Sequence, residues 1–230
     1  MSADRGVTTL NNTAAMALEI AKGFAVLRSF LHVCVRRFVR PRGLVLDLGS
    51  GKAPSYLAYL KGYDFHYISA DGNASHAPSL VVNLEEGLPI RDESVDCVFL
   101  FNVLEHIYRF QHLLDEVRRI LKKDGVAFLL VPLLIKVHGS PCDYFRYTHF
   151  ALRRMLGEAG FEDVKIYATS GVFRLLSLCF NWLSVIKVGY LLYPLFYLLC
   201  AMDTALGAFT RGKYTESVPI GYFIRCAKEG

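Results

Sequence analysis

The 230 residues are 53% hydrophobic and only 20% charged, with a mean hydropathy of +0.31. That composition excludes a disordered or fibrous chain and leaves room for one large domain with appendages. The net charge of +5 is uneven: residues 1–43 hold seven Lys/Arg and two acids, 44–169 hold 13 and 16, and 170–230 hold six and three. A mildly acidic middle between basic, apolar ends fits a catalytic or binding module held near an anionic surface, and the greasy flanks favour lipid over nucleic acid. Six cysteines with no C-x-x-C and no histidine at metal spacing signal neither a zinc site nor a disulfide framework, which suits a reducing cytosol. The opening MSADRGVTTLNN has no charged segment running into an apolar one, so it does not read as a secretory signal.

In chain order, residues 14–39 place Ile20, Phe24, Leu27, Leu31, Cys34 and Phe38 at three-and-four spacing, one helical stripe with Lys22, Arg28, Arg36, Arg37 and Arg40 mostly off it. Such a helix lids the following domain or lies on a membrane surface. Strand-like runs then alternate with helical ones: strands at 44–48, 65–70, 80–84, 95–101 and 126–132, a helix from about Pro54, and a helix at 111–123 closed by Gly125. The alternation predicts an α/β fold, a parallel sheet with helices on both faces. A helix capped by Thr148 and stopped at Gly160, a strand at 164–169 and a last strand at 221–228 complete the pattern. Between those strands, residues 171–210 carry only Arg174, Lys187 and Asp203 as charges. The expected organisation is a basic amphipathic helix (1–43), a core (44–170), a hydrophobic membrane-associated insertion (171–215) and the last core strand (216–230).

Gly49 and Gly51, in VLDLGSGKAP, follow a buried strand and precede a helix, where glycine lets backbone approach a ligand at the carboxyl edge of the sheet. A dinucleotide fingerprint would want glycine at 54, where Pro54 stands, so a nicotinamide oxidoreductase is disfavoured. Asp71 ends the second strand, where a carboxylate can accept both ribose hydroxyls of a nucleoside; the alternative is an ordinary Asp-Gly turn.

With VLDLGSG, Asp71, the run NLEEGLPIRDESVDCVFLFNVLEHI (83–107) and RILKKDGVAFLLVP (119–132), the chain resembles the class I S-adenosylmethionine-dependent methyltransferases of the bacterial small-molecule "type 11" kind. The resemblance spans about residues 44–167 and implies a Rossmann-like sheet and S-adenosyl-L-methionine as cofactor. It places Asp47, Gly49, Gly51 and Asp71 around the cofactor, Asn83 and Leu84 at the adenine, and Asn102 with VLEH near the methionine part. Leu88, Pro89, Asp92, Ser94 and Asp96 match the family's turn into the fourth strand. Asn83, where the family more often has Asp, and Ala53, where it often has Gly, depart from the pattern. Methyl transfer from a sulfonium needs orientation and, for a neutral hydroxyl or amine, proton removal, so no metal or covalent nucleophile is required.

Residues 136–161 resemble a subgroup with an H-x-x-P-x-D-Y-x-R-Y-T pattern, associated with bacterial cell-surface glycan or lipid pathways: His138, Pro141, Asp143, Tyr144, Arg146, Tyr147 and Thr148. Lying between the fifth strand and the next helix, this loop is placed over the cofactor and is expected to contact the acceptor, with His138 as general base and Asp143, Tyr144 and Arg146 as catalytic partners. A structural reading stands beside it: Arg146 pairing with Asp143, tyrosines packing, Thr148 capping. His106 and His112 read as structural. The implied function is O-methylation of a membrane-presented lipid, glycan or quinone-like acceptor; the alternatives are an inactive module tethering partners to a membrane, and an RNA methyltransferase. The expected place is the cytoplasmic face of the cell membrane, peripheral or monotopic, with nucleic acid an improbable partner and a homodimer open. Residues 171–215 are expected to dip into one leaflet as a hairpin: the apolar pieces 175–186 and 188–202 are short, the flanking strands share one sheet and so one side, and Trp182, Tyr190, Tyr193, Tyr197 and Lys187 suit an interface. A helical pair packed on the domain or on a twin subunit is the soluble alternative.

Overall fold

The computed structural model describes residues 7–10, 13–138, 142–171, 175, 193–209 and 218–229. Their elements are β1 (Thr8–Thr9), α1 (Thr13–Ala21), α2 (Val26–Phe38), β2 (Gly43–Leu48), β3 (Phe65–Asp71), β4 (Leu80–Val81), β5 (Val95–Phe101), α3 (Phe110–Ile120), β6 (Leu121–Pro132), α4 (His149–Glu158), β7 (Glu162–Ser170), α5 (Tyr193–Phe209) and β8 (Pro219–Ala227).

The strands form one eight-stranded sheet in the order β1-β7-β8-β6-β5-β2-β3-β4, parallel except for β8, which runs antiparallel between β6 and β7. Burial on both faces explains the continuous apolar runs. Along β5, Cys97, Phe99 and Phe101 join a core shared with α1 and α2, while Val98 and Leu100 join the opposite core with α3 and α4. Because β2, β3, β5 and β6 are parallel, the loops after Leu48, Asp71, Phe101 and Pro132 gather on one edge. From β2 the chain first builds outward through β3 and β4, then returns to β5 on the other side of β2. That reversal opens a crevice at the carboxyl ends of β2 and β5, where open α/β sheets take ligands.

Several expected elements differ. The helix expected across 14–39 is two helices, α1 and α2, broken where Gly23 adopts a φ of 90°. The helix expected from Pro54 is a single 3-10 stretch, Ser55–Tyr59. The strand at 80–84 shortens to two residues. The helix at 111–123 ends at Ile120, because β6 begins at Leu121, so Lys122 meets Asp96 (2.8 Å) rather than a helix terminus and Gly125 lies inside β6. Thr148 does cap α4, accepting from the Ala151 N–H. The apolar stripe of the N-terminal segment is spent on the core: Ile20, Leu27, Leu31 and Cys34 are buried. Buried Glu19 joins His32 (2.9 Å), Tyr59 (2.6 Å) and Lys22 (2.9 Å), and His32 reaches Ser55 (2.8 Å), so this network fastens α1 and α2 to the turn after the glycine loop.

The LPIRDESVD turn is held by Arg119, which donates to the Leu88 and Ile90 carbonyls and pairs with Asp92 and Glu116. Of the hydrophobic segment, α5 lies against α1 and exposes Leu195, Leu198, Met202 and Phe209. Pro141, Arg174, Trp182, Lys187 and Tyr190 lie outside the described residues, as does all but Leu175 of the piece 175–186. Among the described residues no helix is long and apolar enough to cross a membrane.

Candidate active site

β2 delivers Asp47 to the crevice and ends in a loop whose glycines take left-handed φ values, +71° at Gly49 and +65° at Gly51. A Cβ at Gly49 would stand 2.4 Å from Val103 Cγ2, whereas one at Gly51 would meet nothing within 4 Å. The first glycine therefore lets the loop close against the start of the β5 loop, and the second keeps the backbone open to a ligand. Gly49–Tyr56, Arg28, Leu31, Phe101 and Asn102 enclose a cavity of about 310 Å³. α2, expected as a lid, thus supplies part of its wall.

Asp47 is 1% exposed and accepts the hydroxyls of Tyr56 and Tyr67 on one oxygen, while Oδ1 has no hydrogen-bond partner. Burial pushes its carboxyl up to about 6, with the two tyrosines opposing and the charge of Asp71 adding to the rise. Asn102, at a φ of 55°, also carries a buried Oδ1 without a partner. Two orphaned acceptors beside a glycine loop suit a ligand that brings N–H donors and positive charge.

Asp71 closes β3 on the neighbouring strand, accepting the Gly51 N–H (2.9 Å) and the Asn73 N–H (2.8 Å), with His76 Nδ1 at 3.2 Å. Asn83 is exposed and bonded to Glu86 (2.9 Å); Leu84 is buried in the core, leaving little surface for a ligand.

A second, larger cleft of about 1130 Å³ adjoins the first, sharing Arg28 and Asn102 as walls. Leu27, Leu133, Ile135 and Val137 give it apolar sides, and His106, His138, Tyr144 and Arg146 a polar end. Arg146 grips Asp143 with two nitrogens, and Asp143, whose side chain is 2% exposed, also accepts the His138 N–H (2.9 Å). This guanidinium holds the Asp143 carboxyl far below the usual carboxylate range. All four residues expected to be catalytic line the cleft, Asp143 with its side chain held down by Arg146 and bracing the loop.

Two residues at this end were expected only as part of VLEH near the methionine part of the cofactor, with no role of their own. Glu105 is fully buried, neither carboxylate oxygen has a hydrogen-bond partner, and burial pushes its carboxyl up to about 8. His106, expected to be structural, lines the cleft with its ring 5.0 Å from that of His138. The available signal was the acid–histidine pair at the end of a buried strand, in VLEHI. The loop is tied down here because the Glu105 carbonyl accepts the Tyr144 N–H (2.8 Å).

Residues 46–129 match the family model described as a methyltransferase domain. An uncharacterized protein of Methanocaldococcus jannaschii is 21% identical over 160 residues, 65% of this chain and 77% of its own length. Among solved structures, an S-adenosylmethionine-dependent methyltransferase from Archaeoglobus fulgidus has a TM-score of 0.58 at 18% identity, covering 87% of this chain and 94% of that one. The putative methyltransferase of Haloferax volcanii, solved with the Trm112 methyltransferase activator, has a TM-score of 0.58 at 16% identity, covering 95% and 97%. The [4+2]-cyclase SpnF, at 0.60 and 15% identity over 89% and 82%, shares the fold with a different named reaction. The sheet order and the reversed β8 are thus those of the class I methyltransferase fold, for which S-adenosyl-L-methionine is the cofactor expected from the sequence. The residues present fit it: a sulfonium and an ammonium answer the orphaned Asp47 and Asn102 oxygens, and the open Gly51 backbone leaves room for the nucleoside.

Proposed function

We propose that this methyltransferase O-methylates a membrane-presented lipid, glycan or quinone-like acceptor held in the larger cleft. The observation that carries the reading is the junction of the two cavities at Arg28 and Asn102; it supports an acceptor in the larger one meeting the methyl end of a cofactor seated on the glycine loop. When bound, S-adenosyl-L-methionine supplies an activated methyl group, so the chain's task is orientation and removal of the acceptor's proton. In this reading Gly49 and Gly51 admit the nucleoside, Asp71 accepts the ribose hydroxyls, Asn83 borders the adenine with Leu84 packed in the core behind it, and Asp47 and Asn102 face the methionine end. His138 takes the acceptor's proton, Tyr144 and Arg146 orient the acceptor, and Asp143 holds their loop.

Membrane presentation is supported by the apolar surface of α5 and by Val137, which is 82% exposed at the cleft mouth. On this reading the segment 171–215 is an interfacial insertion between core strands, placing the protein at the cytoplasmic face of the membrane.

The test incubates the full chain with methyl-labelled cofactor and separate lipid, polysaccharide and RNA fractions of the source cell, with calorimetry of cofactor binding alongside. Label in the lipid or polysaccharide fraction is expected, with Asp71→Ala weakening cofactor affinity by about 10- to 100-fold, the worth of a charge-assisted hydrogen bond. Label in RNA alone, or in no fraction by a chain that binds cofactor, overturns the reading.

A further inference from the structure

Three side chains at the polar end of the cleft point the same kind of atom at one another. Glu105 Oε1 stands 3.7 Å from His106 Nε2 and 3.9 Å from His138 Nε2, and ligand atoms of the three residues all lie within 4.8 Å of one another. Each ring has its other nitrogen engaged by an acceptor. His106 Nδ1 bonds the Cys142 carbonyl, and His138 Nδ1 faces the Lys136 carbonyl at 3.2 Å and Asp143 Oδ2 at 3.4 Å. A carbonyl can only accept, so both rings carry a proton on Nδ1, and in the neutral imidazole it is the bare Nε2 lone pair that faces Glu105.

Two Nε2 atoms and a carboxyl that is 0% exposed then converge, with no hydrogen bond made among them. Left so, the buried carboxylate is costly. A positive centre among the three atoms removes the conflict. The separations are too long for direct hydrogen bonds, yet near the span of about 3.4 Å made by two metal bonds of about 2.1 Å meeting at a tetrahedral angle.

We propose that Glu105, His106 and His138 form a binding site for a divalent first-row transition-metal cation. Two imidazoles and one carboxylate are a ligand set such ions use, and Nδ1–H bonds to carbonyl or carboxylate are what orient metal-binding histidines. The two histidines line the cleft while Glu105 lies behind them, which gives the ion an entry path and leaves a coordination position facing the acceptor. In the methyltransferase reading proposed above, on which this role rests, that position takes an acceptor oxygen. With the ion bound, His138 Nε2 is a ligand and gives up the base role assigned to it above; the cation lowers the pKa of the bound hydroxyl, whose proton passes to solvent water.

The experiment takes the full chain stripped with a chelator, adds Zn²⁺ or Co²⁺ alone, and follows binding by calorimetry and by the visible absorption of Co²⁺. Stoichiometric binding of one ion per chain is expected, weakened by more than about 100-fold in Glu105→Gln and in His138→Ala. Circular dichroism and cofactor calorimetry on the same samples show that each variant is folded. An absence of stoichiometric binding overturns the site, as does binding that both folded variants retain, which would place the ion elsewhere. Cofactor binding without metal binding defeats this inference and leaves the methyltransferase reading standing; metal binding without cofactor binding does the reverse.

Discussion

Replacing Asp47 with asparagine removes one ionisable group from the most buried corner of the cofactor loop and keeps its shape. Folded Asp47 holds its proton to about pH 6, whereas a carboxyl in the unfolded chain releases its own near the ordinary 3.8. The native state therefore binds more protons between those values, and stability falls as pH rises through that window. A displacement of about two pH units corresponds to about 3 kcal/mol, present below pH 4 and lost by about pH 7. Other groups titrate in the same range, so the quantity to measure is the difference between wild type and Asp47→Asn, by urea denaturation at several values from pH 4 to pH 8. Wild type is expected to lose about 2 to 3 kcal/mol relative to the variant across the interval. Saturating cofactor, whose positive charge favours the ionised carboxylate, is expected to flatten that difference and to bind wild type more tightly as pH rises past 6. Parallel pH curves for the two proteins would refute both the buried, proton-holding Asp47 and its place beside a cationic ligand.

Gly49→Ala forces a Cβ to within 2.4 Å of Val103 Cγ2 at a left-handed φ; a loss of about 2 to 4 kcal/mol in thermal or urea unfolding is expected, while Gly51→Ala, with open space around its Cβ, costs only the backbone strain of about 1 to 2 kcal/mol. Asp143→Asn removes the charge from the Arg146 grip beneath the cleft, and about 2 kcal/mol of stability and faster proteolysis of the 136–147 loop are expected, with cofactor affinity unchanged.

The residues that can be read locally were legible. A continuous apolar run such as VDCVFLF becomes a strand wherever both faces are covered, Gly49 and Gly51 announce a loop that only glycine adopts cheaply, and Thr148 caps its helix through a bond three residues away. Those signals, with the position of Asp71, were enough to expect an α/β sheet binding a nucleoside cofactor at its carboxyl edge. Where two local preferences competed, tertiary pairing chose. Residues 121–125 could extend a helix, yet the register of β5 against β6 takes them as strand, and the N-terminal helix breaks at Gly23 so that α2 can reach the glycine loop. The polar end of the cleft lay furthest from the sequence. Glu105 and His138 are separated by 33 positions, and the tie from the Tyr144 N–H to the Glu105 carbonyl folds one loop over the other. No periodicity records that convergence, because the sheet creates it by ending parallel strands side by side; sequence spacing says which atoms a residue carries, and only the fold decides which of them meet.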